Sequence, residues 1–385
     1  MMANDRQYRI VYCTPALYMA GGVERVLTFK ANYFAEHFGY DITIIITEGN
    51  NHPLFFSLSE KIKVINLNIG FEELWSCSFV KKIFVYLRKQ RKYKKLLTAE
   101  LMHLRPDITV SLLRREINFI TRINDGSKKI GELHINRANY RNFDESQSNA
   151  LKVLFSKLWM NSLVGKLKQL DRLVVLTEND KAAWVELGNV VVIPNPLPFS
   201  SLLSTQSNKR VIAVGRYCHE KGYDYLLHAW AKVQTVCPDW QLDVFGDGDR
   251  TVYDKMLDDL HIDRSRCILH GRTTDIQSEY TNSSLAVCSS RFEGFGLSIV
   301  EAMACGLPVV SFDCPWGPKS IIKHHEDGIL VDNGNFEKLA ENLISLMQND
   351  MDRIKMSEKA VENVQRFNIE KVAHKWKSLF EEVLL

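Results

Sequence analysis

No C-x-x-C pair occurs among the eight cysteines (Cys13, Cys77, Cys218, Cys237, Cys267, Cys288, Cys305 and Cys314), so the sequence spells neither a zinc site nor a disulfide framework. A reducing cytosol suits such scattered thiols. No apolar run approaches the ~18 residues of a spanning helix. Ile10 to Met19 has the look of a short signal core, but Pro15 interrupts it and Gly21-Gly22-Val23-Glu24 is no cleavage site, so the stretch reads as a first strand and its loop. Neither G-x-G-x-x-G nor G-x-x-x-x-G-K-[ST] is present, which leaves a dinucleotide or P-loop reading without its fingerprint. Charge of one sign is also lacking. Lys plus Arg (49) against Asp plus Glu (46) gives +3, too little for a protein that binds nucleic acid by charge alone. Residues 1–200 nevertheless hold 28 basic against 19 acidic side chains, and residues 201–385 hold 21 against 27.

What is present is an ordinary globular composition, 45% hydrophobic and 25% charged over 385 residues, room for two or three domains. Short β-branched runs alternate with longer amphipathic stretches, the signature of a parallel α/β fold. One series places strands at Arg9–Cys13, Asp41–Thr47, Val64–Leu67, Ile108–Leu112, Lys129–Leu133, Arg172–Leu176 and Val190–Ile193, with helices at Glu24–Phe38 and Phe79–His103. A second restarts at Arg210–Val214 and continues at Gln241–Phe245, Cys267–Leu269, Leu285–Cys288 and Val309–Phe312. Between them, Pro194, Pro196 and Pro198 alternate, which suits a linker and not a helix or central strand. The expectation is two doubly wound Rossmann-like domains facing a cleft, over 1–196 and 197–369, with a last helix at about 370–385 packing back on the first domain.

In such folds ligands bind at the carboxyl ends of the strands. Gly21 and Gly22 open a helix after the first strand, where backbone N–H groups can approach an anion; a plain tight turn fits equally. In Val214-Gly215-Arg216-Tyr217-Cys218-His219-Glu220-Lys221-Gly222, Arg216 and Lys221 could grip one phosphate from two directions, Arg as a fork and Lys as a point charge, or stand as two solvated loop cations. The most informative segment runs Glu293-Gly294-Phe295-Gly296-Leu297-Ser298-Ile299-Val300-Glu301-Ala302-Met303-Ala304-Cys305-Gly306-Leu307-Pro308. Phe295, Gly296 and Leu297 offer N–H groups at a helix N-terminus. Glu301 follows about one turn into that helix, where it can accept from both ribose hydroxyls or stand as a surface residue, and Glu293 precedes it in the loop, an acceptor near the phosphate or a carboxylate set against the helix dipole.

The two glutamates with a seven-residue spacer, and the surrounding E-G-F-G-L-S-I-V-E-A-M-A-C-G-L-P-V-V, resemble glycosyltransferase family 4, the retaining enzymes of GT-B fold. Val244-Phe245-Gly246-Asp247-Gly248, Leu269-His270-Gly271 and Gly317-Pro318-Lys319-Ser320 fall in that family's order. The resemblance implies a nucleotide diphosphate sugar held mainly by the C-terminal domain, with Arg216 and Lys221 on the diphosphate, Glu301 on the ribose, Glu293 beside the donor sugar and backbone at Gly271–Thr273 around the base. It implies that His134, in Gly131-Glu132-Leu133-His134, touches the donor sugar. The acceptor would lie on the N-terminal domain. Asn195-Pro196 departs from the family's Asn-Gly.

Asp247-Gly248-Asp249 is formally a D-x-D, yet it matches a Gly-rich turn of that family, so neither metal nor other cofactor is expected and cations would stabilise the leaving diphosphate. The resemblance further implies transfer of a hexose or N-acetylhexosamine, from UDP, with same-face attack, onto a glycan or lipid-linked acceptor of bacterial surface polysaccharide. Phe79–Leu97 carries Lys81, Lys82, Arg88, Lys89, Arg91, Lys92, Lys94 and Lys95 with no acid, while Phe79, Ile83, Tyr86 and Leu87 can share a face; this suits the anionic inner surface of the plasma membrane, or an ordinary solvated helix. No nucleic-acid motif is present. The alternatives are a nucleotide-sugar epimerase of the same fold and a non-catalytic sugar-nucleotide sensor.

Overall fold

The computed structural model describes residues 7–19, 21–49, 52–76, 78–137, 150–199 and 202–385. The chain forms two compact units, Met1–Pro196 with Ile369–Leu385, and Leu197–Asn368. The first unit holds seven parallel strands, β1 (Arg9–Thr14), β2 (Asp41–Ile46), β3 (Lys63–Asn66), β4 (Ile108–Ser111), β5 (Lys128–Glu132), β6 (Arg172–Val175) and β7 (Val190–Val192), in the order β3-β2-β1-β4-β5-β6-β7. Ile10 of β1 pairs with Ile42 on one side and Ile108 on the other. Five of the six residues of β1 and of β2 are buried, as strands covered by helices on both faces require.

Its helices are α1 (Gly22–His37), α2 (Phe79–Leu104), α3 (Ala150–Leu167) and α4 (Glu178–Ala183). α1 turns Val26, Leu27, Lys30, Ala31 and Phe34 inward at helical spacing, a stripe that is apolar except for one lysine. α2 stops where Arg105 takes a left-handed conformation and donates its N–H to the Leu101 carbonyl, and Pro106 bars any continuation. The inward face of α2 is Tyr93, Leu97 and Leu101, with Tyr86 packed beside it. Ile83 and Leu87 are instead exposed, and Phe84 is 71% exposed. The shared face expected for Phe79, Ile83, Tyr86 and Leu87 is therefore divided between core and solvent, and the Phe79 side chain lies outside the described set. Lys89 is half-buried and donates to the carbonyls of Ile69 and Gly70, while Lys92, exposed, donates to that of Asn68.

The second unit has six parallel strands, β8 (Arg210–Val214), β9 (Gln241–Phe245), β10 (Cys267–His270), β11 (Leu285–Cys288), β12 (Val309–Phe312) and β13 (Gly328–Val331), in the order β10-β9-β8-β11-β12-β13. β13 was absent from the sequence expectation; it pairs in register with β12, Val310 opposite Ile329. Helices α5 (Tyr223–Val236), α6 (Thr251–Asp259), α7 (Ile276–Thr281), α8 (Leu297–Ala304), α9 (Phe336–Gln348) and α10 (Asp350–Val364) cover the sheet. Trp230, Leu226 and Val233 of α5 are fully buried in its core.

The chain then returns to the first unit as α11 (Ile369–Leu384). Val372, Ala373, Trp376, Leu379, Phe380 and Val383 repeat at helical spacing and pack on α1, with the Phe380 ring edge-on to Phe34 at 5.8 Å. Each fully buried side chain of this size contributes roughly 1.5–3 kcal/mol. In both sheets the strand order reverses beside the first strand, between β1 and β4 and between β8 and β11. Those switch points are where a doubly wound sheet leaves a crevice at its carboxyl edge.

Candidate active site

In the second unit the switch point brings the loop after β8 against the loop after β11. Gly222, in left-handed conformation (φ 60°), lies so close to the second loop that a Cβ there would stand 2.1 Å from the Ser289 carbonyl oxygen. Ser289 in turn donates its hydroxyl to the Lys221 carbonyl at 2.9 Å. So fixed, the Lys221 ammonium reaches Glu293 Oε1 at 2.6 Å, and the Ser290 hydroxyl donates to the same oxygen at 2.7 Å. Burial works against the Lys221 charge, but Glu293 beside it outweighs burial and the ammonium is held above its ordinary range. Arg216 stands apart: it is exposed and makes no hydrogen bond or ion pair among the described residues.

Gly296 is the N-cap of α8, left-handed (φ 98°), and no side chain caps the helix. The first-turn amides at Leu297 and Ser298 thus face outward with the positive end of the helix. Phe295 contributes backbone only, because its ring is buried against Phe367 at 5.4 Å. Glu301 is 3% exposed and accepts the Tyr280 hydroxyl at 3.2 Å, so it is neither a surface residue nor a fully open acceptor. In the Asp247-Gly248-Asp249 turn, Asp247 pairs with Arg272 and Asp249 accepts from the Thr251 N–H and hydroxyl. Among the described residues no group of three His, Cys, Asp or Glu is placed to hold a metal ion.

In the first unit the loops differ from the expectation at Gly21 and Gly22. Gly21 is the N-cap of α1, but the Glu24 carboxylate folds back over it, so that a Cβ on Gly21 would lie 2.0 Å from Glu24 Oε2. The place open to an outside anion is taken by the chain's own carboxylate, whose pKa burial raises. An anion docks there only where Glu24 withdraws or is protonated.

His134 follows β5, and its ring is 6% exposed. Glu132, two residues earlier on extended backbone and so on the same side, is buried; its Oε1 lies 3.3 Å from His134 Nε2 and 2.5 Å from the Lys30 ammonium of α1. Burial alone would raise the Glu132 carboxyl, but Lys30 and His134 overcome it and hold the pKa at about 2. The loop beyond His134 is fastened by Arg137, which donates its N–H to Asp180 at 3.0 Å and pairs with Glu186. Sequence reasoning missed Lys30, Glu132, Arg137 and Asp180. A lysine in the apolar stripe of α1 and a glutamate alternating with His134 were the available signals.

The comparisons with known proteins come to the same fold. Residues 199–366 match the family model described as glycosyl transferases group 1. An uncharacterized glycosyltransferase of Haemophilus influenzae is 31% identical over 367 residues, covering 94% of this chain and 96% of that protein. The poly(ribitol-phosphate) alpha-N-acetylglucosaminyltransferase of Staphylococcus aureus is 28% identical over 260 residues, 66% of this chain and 51% of that one. In structure the chain is similar to S. aureus TarM, solved with fondaparinux, α-GlcNAc-glycerol and UDP, at a TM-score of 0.77 and 18% identity over 97% of this chain and 100% of that one. Two doubly wound units, a matched family domain and an end-to-end relative together place the chain in the group 1 family of GT-B glycosyltransferases.

Proposed function

We propose that this glycosyltransferase is a retaining, metal-independent member of family 4 that moves a hexose or N-acetylhexosamine from a UDP sugar to a lipid-linked glycan acceptor in bacterial surface polysaccharide synthesis. The observation that carries the reading is the Lys221–Glu293 pair at the β8/β11 switch point, beside the uncapped N-terminus of α8. A cation, a carboxylate and the amides at the start of a helix are the parts that diphosphate and sugar demand. The S. aureus relative's name, and the UDP in the TarM structure, support the donor class and the surface-glycan setting.

In this reading the diphosphate docks on Lys221, Arg216 and the amides at Phe295 to Leu297, and Glu301 accepts the ribose hydroxyls. As the diphosphate takes over Lys221, Glu293 is released toward the donor sugar, whose anomeric carbon gains positive charge in the transition state. The bond from that carbon to the phosphate oxygen breaks and the acceptor oxygen bonds to the same face. The acceptor's proton passes to the departing phosphate, so no carboxylate nucleophile is needed. His134 contacts the donor sugar, the amides at Gly21 and Gly22 become available to the donor only once Glu24 withdraws or is protonated, and the first unit binds the acceptor. The basic stretch Lys81–Lys95 holds the protein at the inner face of the plasma membrane.

The test is incubation with radiolabelled UDP-glucose, UDP-galactose, UDP-GlcNAc and UDP-GalNAc plus bacterial membrane lipid extract, with and without EDTA. Label in lipid, unaffected by EDTA, is the expected result. Epimerised free sugar nucleotide, or binding without turnover, overturns it in favour of an epimerase or a sensor, and loss of transfer in EDTA overturns metal independence.

A further inference from the structure

The Lys30–Glu132 pair is hard to explain by stability. Taking both ions out of water costs several kcal/mol each, and apolar replacements of buried pairs are often neutral or stabilising. Yet this pair is built with care. Lys30 and Glu132 are 1% and 2% exposed, and the ammonium lies under the Trp376 ring of α11 at 4.1 Å and near the Tyr12 ring of β1 at 5.4 Å. Three separate elements thus converge on one charge. The carboxylate they serve also meets His134, which shares Oε1 with Lys30, and lies near the Tyr12 phenol, which burial and then Glu132 push up. Oε2 of Glu132 has no hydrogen-bond partner among the described residues.

We infer that Glu132 is a positioning residue for His134: it takes the Nε2–H of the imidazole, which leaves Nδ1 as the nitrogen available to the donor sugar, and Lys30 is the counter-ion that keeps the carboxylate in the core. The inference rests on His134 contacting the donor. A neutral imidazole has one donor and one acceptor nitrogen, and the partner of one fixes the role of the other. At 3.3 Å the Nε2 contact is close but not aligned as a hydrogen bond, the state in which such contacts often stand before a ligand tightens them. Glu24 is the other carboxylate with a charge interaction with His134, and Arg114 shares Glu24 with it. Glu132 differs from Glu24 in being tied to an opposite charge inside the core.

The test uses the full chain labelled with 15N-histidine, the His134 signals being identified by their loss in His134→Ala. The Nε2–H tautomer is expected in the wild type and a mixture of tautomers in Glu132→Gln. Should that variant fold poorly with Lys30 left unpaired, Lys30→Met/Glu132→Gln removes both charges together and is expected to show the same mixture. Identical His134 shifts in the wild type and the folded variant overturn the inference. In transfer with the UDP-sugar panel, kcat should fall about ten- to a hundredfold in Glu132→Gln with donor KM nearly unchanged, and Glu132→Asp should restore part of it. Normal transfer by His134→Ala would overturn the site reading and the inference with it, whereas unchanged His134 shifts beside an inactive His134→Ala overturn the inference alone.

Discussion

The Lys221 ammonium lies 2.6 Å from a Glu293 oxygen that also accepts the Ser290 hydroxyl, so that, of the residues named for diphosphate and sugar, two hold each other. In the proposed donor complex a phosphate would compete with Glu293 for Lys221, and the carboxylate it displaced would be the one facing the reacting sugar. Donor binding and preparation of Glu293 are then one event.

Glu293→Gln should therefore act mainly on kcat, because its contacts strengthen as charge builds at the anomeric carbon. Loss of one charge-assisted hydrogen bond of ~1.5–3 kcal/mol corresponds to a fall of roughly ten- to a few-hundredfold. Steady-state kinetics with saturating donor measures it, and a change in KM alone would reverse the assignment.

Glu301→Ala should mainly raise donor KM, since the ribose changes little during reaction. The Tyr280 contact supplies a milder probe. Tyr280→Phe keeps the ring and removes the hydroxyl that Glu301 accepts, so donor KM should shift by less than in Glu301→Ala, at unchanged kcat.

Membrane attachment should depend on Arg88, Arg91 and Lys95, which are exposed on α2, and not on Lys89 and Lys92, which are engaged with carbonyls of the same unit. Reversing the three exposed charges to Glu should weaken sedimentation with anionic liposomes by several kcal/mol at low salt, on a scale of ~1 kcal/mol per cation. Turnover of a short soluble acceptor should survive. Unchanged sedimentation leaves α2 an ordinary solvated helix.

Asp180 gives a pH signature. Burial, only partly offset by the Arg137 N–H and guanidinium, pushes its carboxyl up to about 6, above its unfolded value, so the folded unit holds the proton more tightly than the unfolded chain does. Its contribution improves as pH falls from above 6 toward 4, by at most about 3 kcal/mol at 1.36 kcal/mol per pKa unit. Denaturant midpoints should show the wild type gaining on Asp180→Asn between pH 7.5 and pH 5; a constant gap would assign that slope elsewhere.

Most strands of the first sheet were legible because they are short β-branched runs between polar segments, and a doubly wound sheet buries both faces; β5, with Ile130 as its one β-branched residue, is the weakest of them. β13 was not, because four residues beginning with glycine and following a polar turn carry too little pattern. Lys221 and Glu293 stood out in separate motifs, but their contact depends on β8 lying beside β11, an adjacency that skips two strands. Lys30 and Glu132 are 102 residues apart, and each looks misplaced until the other is seen. Glu24 was visible next to Gly21 and Gly22, but that its carboxylate folds back onto the turn is a side-chain conformation that spacing does not encode.

The return of α11 to the unit in which the chain begins sets an order of assembly. On the ribosome, the stripe of α1 around Leu27 and Phe34 must wait for Trp376 and Phe380 until all of Leu197–Asn368 has been made. The second unit can close first although it is synthesised second, leaving the earlier sheet with an uncovered apolar flank. A nascent chain stalled shortly before Ile369 would therefore display a chaperone-binding surface on its oldest part and not on its newest.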